Sequence, residues 1–167
     1  ILIILFLGLT PLLWYKNPNS FALGHDMGFP INPINFFTDR LFLWTDRVGL
    51  GWDQTLGSAA ILIHGLEASL AGLGLSIFVV QKIVFIFWLV LPGLAMYYFV
   101  SRIHGEKEEW FLRLSASIFY MFNHFLLQGW FIAERTKFSL YAALPLLLTL
   151  IMQMIKGEIR IVRGLCF

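Results

Sequence analysis

Long apolar stretches alternate with short charged turns along this chain, and their lengths predict helices made to cross a membrane. Residues 1–15 contain no Asp, Glu, Lys or Arg and end in Trp14-Tyr15-Lys16, an aromatic pair and a cation of the kind that sit at a membrane–water boundary. Helix over that run covers about 22 Å, against roughly 30 Å of hydrocarbon, so it reads as the end of a first span whose earlier turns are missing. A signal peptide is the competing reading, but no charged region precedes the run and no small-x-small site follows it. Ile77 to Ile103 would make about 40 Å of helix, enough to cross, with Ser76 as its cap and Gln81 and Lys82 in the outer interface. Residues 83–101 carry no charge, and Pro92-Gly93 predicts a kink there. Residues 111–133 and 138–156 supply a third and a fourth span. Asn123, His124 and Gln128 fall inside the third and are expected to face other helices or the outer water. The predicted class is all-α: a polytopic transmembrane helical bundle of about four spans.

The long connection 16–76 has a different rhythm. Asn32 is a good N-cap and Pro33 suits the first helical position. From there Ile34, Phe37, Leu41, Trp44 and Val48 recur at steps of three and four, with Thr38, Asp39, Thr45 and Asp46 on another side. This predicts a helix over about 33–47, lying in the interface rather than across it; an amphipathic helix of a soluble cap is the competing reading. Gly49, Gly51 and Gly57 end it and loosen the chain around Trp52-Asp53. In 58–76, His64 and Glu67 are three apart and share a helical face, where they pair with one another or face a water-filled groove. Burying Glu67 near the bilayer centre would cost about 3 kcal/mol, so a second interfacial or re-entrant helix is predicted instead.

Composition agrees with a membrane protein. Of 167 residues 59% are hydrophobic and 13% charged, with mean hydropathy +0.78, against about 45–50% and about 25% in soluble domains. A net charge of +2 without a basic block gives no footing for nucleic acid. The single cysteine, Cys166, excludes an internal disulfide and a Cys-rich metal site. The chain opens at Ile1 within an apolar run and stops at Phe167 without a polar tail, so it reads as a piece of a longer protein. Basic residues set the orientation: Arg102, Lys107 and Arg113, with Lys156, Arg160 and Arg163, mark cytoplasmic turns, against Arg135 and Lys137 in the loop between the third and fourth spans. By parity the connection 16–76 is extracytoplasmic, in a multi-pass protein of the cell membrane.

That topology brings chemistry to one side. No zinc spacing, phosphate loop or Gly-x-Ser-x-Gly elbow is found. What remains is Gly24-His25-Asp26-Met27-Gly28-Phe29-Pro30, a polar segment just beyond the first span, stiffened by proline and turned by glycine, with Glu134 on the same outer surface. A carboxylate at that level suits a general base toward an acceptor hydroxyl, and Asp26 with Glu134 suits a shared divalent ion, Mg2+ or Mn2+. Arg135 or Lys137 would offset charge on a leaving phosphate. His25 is a candidate second ligand or proton relay, with a simply solvated loop histidine as the competing reading, and Trp52 and His64 are further substrate-binding candidates, the indole by stacking on a sugar face or, in the competing reading, serving as an interfacial anchor. An ordinary solvated loop aspartate remains the competing reading of Asp26.

The outer-loop Asp26 segment, the interfacial helix and the later run Arg113-Leu-Ser-Ala-Ser-Ile-Phe-Tyr120-Met-Phe-Asn123 resemble the N-terminal part of the large polytopic glycosyltransferases of the GT-C class, nearest the arabinofuranosyltransferase-like branch and related bacterial or archaeal membrane proteins. The resemblance implies transfer of a sugar from a polyprenyl-phosphate donor to a glycan or protein acceptor on the outer face of the bilayer. It maps the catalytic carboxylate onto Asp26 and a second acidic position onto Glu134. The sequence departs from the paired acidic pattern, since His25 and Met27 flank Asp26. Two other classes stay open: a transporter or flippase of lipid-linked substrates, and a non-catalytic membrane subunit.

Overall fold

The computed structural model describes residues 1–15, 17–22, 29–46, 50–54, 60–104, 110–132 and 135–157. They are mostly helical, in the order α1 (Leu2–Leu7), a 3₁₀ helix (Thr10–Trp14), α2 (Pro33–Arg40), β1 (Trp44–Thr45), β2 (Trp52–Asp53), α3 (Ile61–Gly72), α4 (Ile77–His104), α5 (Trp110–Met121), α6 (His124–Ile132) and α7 (Arg135–Ile155). Within α4 and α7, Ile77–Ile103 and Phe138–Ile155 are long and apolar enough to cross a membrane.

Helix α4 is the axis of the molecule. The Ser76 carbonyl accepts from Val80 at 3.0 Å, so the helix starts where expected. Both faces of α4 are apolar, and burial distinguishes them: Val80, Gln81, Val84, Phe85, Trp88 and Leu89 are covered, while Val79, Ile83 and Phe87 on the other side are exposed. The covered stripe, at steps of one and three, is the packing face of a helix. Helices α5 and α7 lie against α4, and α1 with the 3₁₀ helix crosses it. Glycine permits the closest crossings. A Cβ on Gly8 would stand 2.0 Å from Val90 Cγ2, and one on Gly93 would stand 2.4 Å from Met121 Sδ and 2.9 Å from Ile4 Cγ2. Ile4 and Met121 are fully buried there, which ties α1, α4 and α5 at one level.

The run expected as one helix over 111–133 is two, because Asn123 caps a new start. Its Oδ1 accepts from the Leu126 amide at 3.0 Å and its Nδ2 donates to the Tyr120 carbonyl at 3.1 Å. An asparagine side chain thereby replaces main-chain partners and lets the chain break between Met121 and His124. Asn123 Nδ2 also donates to the Tyr141 hydroxyl. His124 and Gln128 are exposed.

A second fault is repaired at the same level. Pro145, inside α7, has no N–H to give the Tyr141 carbonyl four residues back. The Tyr120 hydroxyl donates to that carbonyl at 2.9 Å, and the two tyrosine rings stack 4.1 Å apart. A neighbouring helix thus satisfies the carbonyl that proline frees, as a low-dielectric setting requires. Helix α4 runs on through Pro92.

Helix α2 begins as expected, with Asn32 Oδ1 accepting from the Asn35 amide at 3.1 Å and Pro33 at its first position. It stops at Arg40 rather than continuing to 47. Leu41-Phe42-Leu43 leads instead into a two-stranded antiparallel ribbon that pairs Trp44 with Asp53 and Thr45 with Trp52. Aromatic and β-branched residues favour a pleated ribbon, and Gly51, at φ 113°, supplies the left-handed turn residue. The Trp44 indole lies directly over Gly51, where a Cβ would fall 2.3 Å from the ring. The steps of three and four between Leu41, Trp44 and Val48 read as helix, and the chain departs from it where Trp44 and Thr45 find strand partners in Asp53 and Trp52.

Candidate functional site at the start of the long apolar helix

The first turns of α4 gather the irregular chain that follows the 3₁₀ helix. Gln81 is fully buried, and both ends of its amide are hydrogen-bonded. Its Oε1 accepts from the Tyr15 hydroxyl and from the Ala22 amide, both at 3.0 Å, and its Nε2 donates to the Ala22 carbonyl at 2.9 Å. A glutamine in this geometry mimics a strand partner for a single residue. One turn of the same helix adds Lys82, whose Nζ donates to the Pro18 carbonyl at 2.6 Å and sits 4.9 Å from the centre of the Tyr15 ring. Leu12, Tyr15, Asn17, Pro18 and Lys82 surround a pocket of about 280 Å³.

An aromatic contact closes the other side. Phe21 lies 4.6 Å from Phe78 in the first turn of α4, and 6.3 Å from Phe29, which is buried. The chain therefore leaves at Ala22, held to α4, and returns at Phe29 against the Phe21 ring. His25 and Asp26, between these two flanks in the sequence, lie outside the described residues, as does Glu134; the expected sharing of a divalent ion by Asp26 and Glu134 falls there too. Among the described residues no three His, Cys, Asp or Glu side chains converge on a metal position.

Helices α2 and α3 pack on each other beside this collar. His64 and Glu67 are both buried and paired, Nδ1 to Oε2 at 3.3 Å, with the edge of Phe36 against the imidazole at 4.8 Å. Arg40 lies over the other ring contact of that residue, 4.9 Å from the Phe36 centroid. Between the two helices runs an apolar groove of about 530 Å³, bordered by Ile34, Phe37, Ile61, Leu62 and Gly65. Trp52 stands on the ribbon, 62% exposed. Arg135 and Lys137, expected in a loop, belong to the first turn of α7; both are good helix formers.

Sequence reasoning placed Gln81 and Lys82 at an interface but missed the clamp. The available signal was Gln81 itself: an uncharged amide on a long apolar helix must find donors and acceptors, and a loop rich in free main-chain groups precedes it. No family model, curated protein or solved structure matches this chain.

Proposed function

We propose that this chain belongs to a multi-pass membrane glycosyltransferase that uses a polyprenyl-phosphate sugar on the extracytoplasmic side, with Asp26 as its base. The observation that carries the reading is the collar: the chain entering the Asp26 segment is fastened at Phe21 and Ala22 to the beginning of a helix long and apolar enough to cross a membrane, and the chain leaving it rests at Phe29 against Phe21. In this reading the first run, α4, the α5–α6 pair and α7 are the four spans, and α2 and α3 lie in the interface. The Asp26 carboxylate takes the proton of an acceptor hydroxyl as its oxygen bonds to the anomeric carbon of the donor. The bond from that carbon to the phosphate oxygen breaks, and the lipid phosphate leaves with the electron pair, its charge offset by Arg135 or Lys137. Holding the entry of the loop on α4, with its exit packed on Phe21, supplies the orientation such a step needs.

The test is Asp26→Asn in the full-length protein, assayed in membranes for transfer from a polyprenyl-phosphate sugar. Loss of a general base lowers the rate by about 100-fold or more. Transfer at near the unmodified rate removes Asp26 from the role.

The break between α5 and α6 favours a second reading, a transporter of lipid-linked substrates, because discontinuous helices are the usual frame of transporter sites. In that case Asp26→Asn leaves movement of the lipid across vesicles intact.

A further inference from the structure

The ribbon after α2 carries six large apolar side chains in the open. Leu41, Phe42, Leu43, Trp44 and Trp52 are 56–63% exposed, and Leu50 is wholly exposed. The Gln54 amide donates to the Leu43 carbonyl at 2.8 Å, adding one rung to the ladder. Because Trp44 pairs with Asp53 and Thr45 with Trp52, and successive side chains alternate, the two indoles stand on opposite faces of the ribbon. So much apolar surface is normally covered.

We infer that this ribbon dips into the head-group layer of the bilayer beside α4 and takes lipid as its cover. Indoles on both faces, with Leu41, Phe42 and Leu43 at one end and Leu50 at the other, need a surrounding medium; a protein partner laid against the ribbon would cover one face and leave the other wet. The attachment sets the level. The ribbon follows α2 directly, α2 packs on α3, and the short turn Leu73–Ser76 joins α3 to α4. A 12-residue α3 spans about 18 Å, so this unit stays near the end of α4 where Tyr15 and Lys82 sit. The depth is bounded as well: a two-stranded ribbon has unpaired edge groups that hydrocarbon would leave unsatisfied, whereas the head-group layer offers water to them and suits tryptophan. Asp46 and Asp53, both exposed, remain hydrated at that depth.

This inference rests on the membrane reading above, and a single-cysteine experiment separates the two. In a Cys166→Ser background, cysteine is introduced in turn by Leu50→Cys, Phe42→Cys and Leu147→Cys, the last on the exposed side of α7. Each variant is labelled with an environment-sensitive fluorophore and reconstituted in phosphatidylethanolamine and phosphatidylglycerol vesicles. Lipids carrying a spin label near the head group are expected to quench labels at 42 and 50 about three-fold more than lipids labelled near the chain end, with the order reversed at 147. Deep quenching at 147 with only aqueous iodide quenching at 42 and 50 overturns the ribbon inference alone. Protection of 42 and 50 from both lipid and iodide overturns it too, since protein is then the cover. Loss of lipid quenching at 147 overturns the membrane reading.

Discussion

Gln81 and Tyr120 do related work at two levels of the molecule, and the contrast shows what buried polar groups are for. Gln81 reaches from a regular helix to an irregular loop and holds one residue, Ala22, by both of its main-chain groups. Tyr120 reaches from one helix to a fault in another and holds a single carbonyl, that of Tyr141. Removing the first frees a segment; removing the second leaves a helix in place with one unsatisfied group. The collar therefore serves position, and the tyrosine cluster serves helix continuity.

Substitutions sharpen this contrast. Gln81→Leu strands the Tyr15 hydroxyl and both polar groups of Ala22, at an expected cost of about 3 kcal/mol in detergent unfolding. It should also raise amide exchange around Ser20–Ala22 and, on the proposed glycosyltransferase reading, lower sugar transfer by about ten-fold or more, because a loosened Asp26 segment would miss its geometry. Tyr120→Phe is expected to cost about 1–2 kcal/mol through the stranded Tyr141 carbonyl, with transfer unchanged; a loss of transfer beyond the loss of folded protein would erase the distinction between the clusters. Asn123→Ala removes the cap of α6 and should cost about 1 kcal/mol by the same unfolding measurement. Lys82→Met gives up one hydrogen bond and one cation–π contact at a partly exposed site, about 1 kcal/mol together, and should move amide exchange at the loop less than Gln81→Leu does.

The long helices were legible because an uninterrupted apolar run of that length has few other uses, and the starts of α2 and α4 were legible because Asn32, Pro33 and Ser76 are local signals. The interruptions were harder. Asn123 sits in a run that hydropathy alone reads as continuous, and only its capacity to bond its own main chain marks the break. The ribbon was hidden because Leu41, Trp44 and Val48 recur at helical steps, whereas its strands are defined by pairing with Trp52 and Asp53 across a turn that contains Gly51. At the site, His64 and Glu67 were correctly put on one helical face by their spacing, and the structure pairs them. The grip of Gln81 on Ala22 spans 59 positions, a separation that no local pattern encodes.

Pro145 and Tyr120 have a consequence for how this chain tolerates change. If Pro145 is exchanged for alanine first, α7 regains the missing N–H, and the phenol across from it becomes dispensable. If the phenol goes first, the defect is exposed with nothing to mend it. The two positions are thus coupled with a preferred order of loss, and a chain that has acquired the proline is held to its tyrosine until the proline is given up.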